Sequence, residues 1–431
     1  MTDSKKQYLL PMIIIGSLFF IFGFVTWLNS ILIPFLRQAC QLTDFQAYLV
    51  TFAFYISYFF MAIPSAAILN KTGFAKGMSI GLAAMAVGAF IFIPAALTRS
   101  YPLFLFGLFA QAAGMTLLQT ASNPYVTILG PIESAAKRIS IMGVCNKVAG
   151  MIGILILGQI LFNDAKAISA KIKTLSGVEL ETELDLLASR VLTPYVIMGV
   201  VLGILALVIL KAHLPEIDPK DAEAHDGSVE ETKEKSSVFQ YPHLVLGVIC
   251  IFVYVGVEVI AIDALGLYGQ YQGFDLSVAS KFGIYSLIGL TIGYFLGVIL
   301  IPKVISQKAA LALSAAACLV FIVAALVTSG WVSIAFVVLL SFAHSFMWPT
   351  IWPLTLHSLG RFTKIGSALL IMGIVGGAIF PLIYGALADH SNRQIAFWIT
   401  IPCYLYILFF AVKGHRVGAP ASSKPVPATA S

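Results

Sequence analysis

The sequence predicts an all-α membrane protein of twelve transmembrane helices arranged as two six-helix bundles. Three observations predict it. Of 431 residues, 59% are hydrophobic and only 11% are charged, against roughly 25% charged in an ordinary soluble domain. A soluble core leaves too much surface outside to hide that apolar content, whereas lipid accepts it. Long apolar runs recur along the whole chain, each of the length needed to cross roughly 30 Å of hydrocarbon at about 1.5 Å per residue. Finally, Ile141-Met142-Gly143-Val144 returns 230 residues later as Ile371-Met372-Gly373-Ile374, and a similar offset pairs Tyr55 with Tyr285 and Pro124 with Pro353. Two parallel copies of a helical half, able to rock about a central site, are the anatomy of a transporter.

The apolar runs lie near 9–32, 47–69, 77–97, 101–125, 139–162, 191–210, 243–266, 280–301, 307–327, 331–356, 365–387 and 394–412. A β-barrel would show short alternating segments in place of continuous runs. The first run is too long for the apolar core of a secretion signal and lacks a cleavage site, so it is expected to stay as a span. The runs divide into a first bundle over 1–210, a linker over 211–240, a second bundle over 241–417 and a disordered tail over 418–431. The linker mixes Glu216, Asp218, Glu230 and Glu231 with Lys220, Lys233 and Lys235, which suits a solvated connection. A short surface helix is expected around 179–188, in the long loop before the sixth span.

Loop charge sets the orientation. Lys5, Lys6, Lys71, Lys76, Lys137, Arg138, Lys303, Lys308, Arg361, Lys364, Lys413 and Arg416 fall on one side if the spans number twelve. Arg37, Arg99, Lys281 and Arg393 fall in the short loops opposite. The positive-inside rule puts both termini in the cytoplasm.

The informative side chains are those that lipid penalises. Lys147 follows Asn146 in the fifth span, while Glu258 and Asp263 lie in the seventh, near Tyr254 and Tyr268. Two readings of Lys147 stay open: a lysine reaching back to the headgroups, or an ammonium inside the cleft that pairs with an acid or stands where a cation would bind. Glu258 sits deeper than Asp263, which lies toward the outer end at the edge of the exit. Their five-residue spacing turns them about 140° apart, so a straight helix does not aim both into one cleft. Asn29, Gln111, Gln119, Asn123, Asn146 and Gln159 offer neutral donors and acceptors. Trp27, Tyr55, Tyr58, Tyr254, Tyr285, Trp348 and Trp352 offer aromatic walls. Together they suit a polyhydroxylated substrate better than a lipid or a drug, although each alone is also a reasonable packing or interfacial residue. Pro124 and Pro353 predict a shared kink in spans 4 and 10, and the glycines of 366–377 allow close packing or bending in span 11.

Other chemistries find no support. The five cysteines, at 40, 145, 250, 318 and 403, have no ligand or disulfide spacing and read as small buried hydrophobes. No phosphate loop, metal cluster or catalytic triad stands out, so the chain is not read as an enzyme, and no cofactor is implied beyond a co-transported sodium ion or proton. A metal ligand set is unknown. His344, well inside a span, reads as a packing or substrate contact. The net charge of +6 is spread over short loops and is not a nucleic-acid footprint.

Leu18-Phe19-Phe20 through Asn29-Ser30-Ile31-Leu32-Ile33-Pro34 resembles span 1 of the fucose–proton symporter group of the major facilitator superfamily. The run from Thr120-Ala121-Ser122-Asn123-Pro124-Tyr125 to Gly130-Pro131 is similar to that group's span 4 signature. Tyr254-Val255-Gly256-Val257-Glu258-Val259 and Met372-Gly373-Ile374-Val375-Gly376-Gly377-Ala378 resemble its glucose/galactose transporter branch. The resemblance covers nearly the whole chain. It implies alternating access and a monosaccharide carried with a proton or sodium ion. The family's carboxylates in spans 1 and 4 are replaced here by Ser30 and Gln119, so coupling would move to Glu258 or Asp263, pass to sodium, or be lost with Lys147 standing in for a cation.

The resulting expectation is a secondary active importer of a hexose. Its substrate would be held by Asn29, Gln119, Asn123, Asn146, Glu258, Tyr254, Trp348 and Trp352, and coupled or gated by Lys147, Glu258 and Asp263. The partners expected are the monosaccharide and membrane lipid, with no nucleic acid and no obligatory protein. The alternatives are a facilitator without ion coupling, a drug or lipid exporter, and a sugar receptor that does not transport.

Overall fold

A computed structural model describes residues 3–128, 135–211, 240–301, 304–356, 359 and 363–418. Most of the expected linker and tail lie outside them. Among the described residues, twelve helical segments are long and apolar enough to cross a membrane. They are Met12–Ala39, Asp44–Leu69, Lys71–Leu97, Tyr101–Ser122, Ile141–Phe162, Gly177–Lys211, Pro242–Asp263, Leu276–Gly297, Gln307–Val327, Gly330–Leu356, Leu369–His390 and Ile395–Val412, numbered here as spans 1 to 12. The sixth segment is two helices, Gly177–Ser189 outside the bundle and Leu192–Lys211 within it. The outer of the two covers the expected surface helix.

Each half packs in the same way. In the first, span 1 lies on span 5, and span 3 is clamped between spans 4 and 6. Gly81 and Gly114 let spans 3 and 4 approach until a Cβ on either would stand within 3 Å of the other's carbonyl oxygen. Such small-residue contacts join helices where lipid supplies no hydrophobic drive between them. Ser79 donates to the Ala206 carbonyl at 2.8 Å, and Phe92 stacks on Tyr195 with centroids 3.7 Å apart, fixing span 3 to span 6. In the second half, span 7 lies on span 11 and span 9 on spans 10 and 12. Gly73 joins spans 2 and 3 at φ 75°, a left-handed conformation that a side chain disfavours.

The halves meet chiefly through two pairs, span 5 against span 8 and span 2 against span 11, while the end of span 1 also touches span 7 and the turn after it. Spans 2 and 5 correspond to spans 8 and 11 under the repeat, so both pairs are one contact made twice. Large apolar side chains such as Ile63, Val320 and Val327 stay exposed on the outer faces, where lipid covers them.

Several spans are interrupted near the interface between halves. Span 1 breaks at Leu28 and continues as Asn29–Ala39, farther than the apolar run near 9–32 suggests. Span 11 breaks at Ile374 and Val375, inside the glycine-rich stretch. Span 10 breaks at Ser345 and Phe346, whereas Pro353 lies inside the helix Met347–Leu356 and Pro124 inside the uninterrupted helix Tyr101–Ile128. The residue that matters is Pro349, whose missing N–H leaves the Ser345 carbonyl without its helical donor.

Candidate functional site

The break in span 1 sets up the interface. Ser30 Oγ donates to the Trp27 carbonyl at 2.8 Å, a local bond that competes with the helical ladder. The indole of Trp27 then points at span 5, where Nε1 donates to Asn146 Oδ1 at 3.2 Å. Asn146 Nδ2 donates in turn to the Phe19 carbonyl at 3.4 Å. Gly150 leaves room for the ring, since a Cβ there would stand 2.4 Å from Trp27 Cδ1.

Lys147 is 8% exposed and does not reach back to the headgroups. Its Nζ lies 4.1 Å from the centroid of the Trp27 ring and 5.9 Å from that of Tyr294, which belongs to span 8. An ammonium over an aromatic face is held by the ring quadrupole, at about 2 kcal/mol when water is excluded. Across the interface, the Glu258 carboxylate of span 7 is close enough to interact electrostatically with Lys147, without a direct ion pair. Glu258 is partly exposed, and the Tyr254 hydroxyl one turn earlier donates to the His344 carbonyl at 3.3 Å. Two opposite charges thus face each other from different halves of the molecule.

Further polar and aromatic groups border the same interface. Gln119 Nε2 donates to the Tyr58 hydroxyl at 3.2 Å, and Tyr58 stacks beside Tyr55. In the second half Trp348 packs against Tyr254 and Trp352 at centroid distances of 6.2 and 5.5 Å. The indole N–H of Trp352 is buried without a partner. His344 is buried, with Nε2 paired to the Tyr404 hydroxyl at 3.0 Å, a packing contact. Asn29 is fully buried at the span 1 break, closed off from water in this conformation. Asp263 is 1% exposed, shut off from water in this conformation. The helix stays regular from Glu258 to Asp263, and the two acids occupy different surroundings, as their angular separation requires. The side chain of Asn123 lies outside the described residues, as do those of Lys137 and Arg138.

The face opposite the termini is closed by a network that the sequence did not single out. Arg393, after span 11, donates to both carboxylate oxygens of Asp44 at 2.7 and 2.9 Å. Arg37 pairs with the same carboxylate. Asp389, at the end of span 11, accepts the backbone N–H groups of Asp44 and Phe45 at 2.7 and 2.8 Å, at the N-terminal end of a short helical turn. Arg37 and Arg393 read in sequence only as loop charges. The usable signal was an arginine and an aspartate in each of two outer loops from opposite halves, after spans 1 and 11.

All five cysteines are free. Among the described residues, no group of three or more His, Cys, Asp or Glu side chains is arranged to hold a metal ion.

Two similar bundles, a charged and aromatic interface between them, and closure at one face define a secondary transporter that works by alternating access. The chain belongs to the major facilitator superfamily, whose family model matches residues 15–381, and within it to the fucose–proton symporter and glucose/galactose transporter group. It is 35% identical over 420 residues to the glucose/galactose transporter of Brucella abortus, covering 96% of each chain. It is 32% identical over 414 residues to the L-fucose-proton symporter of Escherichia coli, covering 95% of this chain and 94% of the relative. A crystal structure of the E. coli fucose:proton symporter superposes with a TM-score of 0.69 at 29% identity, covering 96% of this chain and all of that one. The chain is a transporter and not an enzyme.

Proposed function

We propose that this protein imports a hexose across a bacterial inner membrane, coupled to a proton, with both termini in the cytoplasm and the two bundles joined through 211–240. The observation that carries this reading is the meeting of Asn146, Lys147 and Trp27 from the first bundle with Glu258 and Tyr294 from the second. A monosaccharide seated there contacts both halves at once, so its binding biases how they sit relative to each other. Asn146 and Gln119 supply amides and Trp27, Tyr254, Trp348 and Trp352 supply ring faces. Asn29, Asn123 and Glu258 complete the hydrogen-bonding set. Proton coupling is supported by the relative named an L-fucose-proton symporter.

A second reading is favoured by Lys147. A lysine opposite Glu258, standing where a cation would bind, is what a carrier without a coupling ion would contain, and would make the protein a facilitator. Counterflow of glucose, galactose and fucose in proteoliposomes tests the reading. The expected result is exchange of at least one hexose, weakened about tenfold or more by Asn146→Ala. Binding without flux would make the protein a receptor, and export of apolar compounds would make it a drug or lipid carrier.

A further inference from the structure

Several charged side chains at the interface have partners among the described residues. Arg393 belongs to Asp44, and Lys147 is matched by Glu258. Asp263 has neither. It is 1% exposed, its Oδ1 has no hydrogen-bond partner, and the charged side chain acting on it is Glu258, of the same sign. A bare carboxylate in such surroundings is costly, and the usual outcome is that it takes a proton.

Its location is as telling as its isolation. Asp263 ends the regular helix of span 7, just before Ala264 interrupts it. One turn farther, Gly266 presses on the first bundle, where a Cβ would stand 3.5 Å from the Ser30 carbonyl and 3.3 Å from Pro34 Cγ. Asn29, directly before Ser30, is fully buried with both amide atoms unpartnered. Two helix breaks from opposite bundles thus meet, and each carries a polar side chain that protein leaves unsatisfied. Among the described residues, no cation acts on Asp263. Span 2 presents Tyr48 and Tyr55, which both sense Asp263. Span 8 presents Ser286, which is bonded to the Ala261 carbonyl at 3.2 Å. Span 11 presents Tyr384, and the Arg393 beyond it is engaged by Asp44.

We propose that Asp263 is the proton-carrying residue of the transport cycle, held neutral while the face opposite the termini is closed. This rests on the reading of the chain as a proton-coupled hexose carrier. When the contacts of Asp44 with Arg393 and Asp389 open, water reaches Asp263, and its carboxylate forms an O–H bond with a proton from that side. Closure then buries a neutral acid. The proton then leaves toward the other side, and the buried carboxylate left behind favours reopening. The proton binds the closed state better than the open one, which is the differential affinity that coupling needs.

The test uses the full chain in proteoliposomes with a pH-sensitive dye. Hexose addition to the wild type should move protons with the sugar. Asp263→Asn should lose this proton movement, and accumulation, by at least tenfold while exchange of labelled hexose continues. Asp263→Glu should restore proton movement in part. Undiminished proton movement in Asp263→Asn overturns the proposal while leaving proton-coupled transport standing. Hexose-driven sodium movement without protons in the wild type overturns the underlying reading instead. If Asp263→Asn fails to fold, infrared difference spectra of the wild type decide. A protonated carboxyl band in the closed state that Asp263→Glu shifts supports the proposal, and a band that it leaves unmoved contradicts it.

Discussion

The backbone of Gly23 in span 1 lies so close to Asn146 in span 5 that a Cβ on Gly23 would stand 1.8 Å from the Asn146 carbonyl oxygen. In the second half the same crossing recurs with the glycine on the other helix, where a Cβ on Gly376 would stand 1.7 Å from the Phe252 carbonyl oxygen. Residue 376 is 146 plus 230, and 252 is 23 plus 229, so the repeat reaches down to a single backbone contact. Glycine is needed once per crossing, and each half has placed it on a different partner.

Replacing Gly23 by Ala forces spans 1 and 5 apart and displaces Asn146 and Lys147. Overpacking of this kind costs about 1–3 kcal/mol, so the melting temperature in detergent should fall and hexose affinity should weaken. Gly143→Ala is the control. Nothing lies within 4 Å of its Cβ position, and alanine in a helix is favoured over glycine by about 1 kcal/mol.

Arg393→Ala should open the face opposite the termini. It removes two charge-assisted hydrogen bonds from a carboxylate that is 5% exposed. Bonds to charged groups contribute about 1.5–3 kcal/mol each, so the open population should rise roughly tenfold or more. Spin-label distances between the loop after span 1 and the loop after span 11 should lengthen. An unchanged distance distribution would remove the network from the account of gating.

Lys147→Ala should change ion dependence more than sugar selectivity, because it leaves Asn146 and Trp27 paired but strips Glu258 of its opposite charge. Trp27→Ala removes both the ring under Lys147 and the donor to Asn146, and should weaken hexose binding about tenfold or more. Equal loss of uptake at every ion concentration in Lys147→Ala would count against its electrostatic role.

Outside the bundle, Asp164 accepts two hydrogen bonds from Arg190, one of them 2.9 Å long, and these hold its carboxyl below the usual carboxylate range. A group depressed in the folded state contributes stability above its unfolded pKa of about 3.9, and loses it as pH falls through the folded value. Asp164 is half exposed, so solvent keeps the contribution small. Protection of the amides over Ala165–Thr174 and Gly177–Ser189, taken relative to the intrinsic exchange rate at each pH, should be steady from pH 7 to about 4.5 and fall below about 4. In Arg190→Gln protection should already be slightly lower at pH 7, and this acid-dependent loss should shrink.

The spans and their pairing into halves were legible because lipid demands long apolar helices and the repeat survives as short identical strings. Lys147 stood out in the sequence for a similar reason, since lipid penalises charge. Its partners did not, because nothing in the string brings Trp27 and Tyr294 to residue 147. The Asp44–Arg393 network was hidden by the same limit, since its members are ordinary loop charges until the bundles meet. The exact position of the break in span 10 was harder to read, because a proline acts on the carbonyl four residues earlier, as Pro349 does on that of Ser345.

The most direct measurement is hexose accumulation in proteoliposomes with proton and sodium gradients imposed one at a time. The account predicts uphill uptake with an inward proton gradient, collapse of that uptake with a protonophore, and no accumulation from sodium alone. Uptake that only equilibrates under every gradient, or accumulation driven by sodium with the proton gradient abolished, would contradict it.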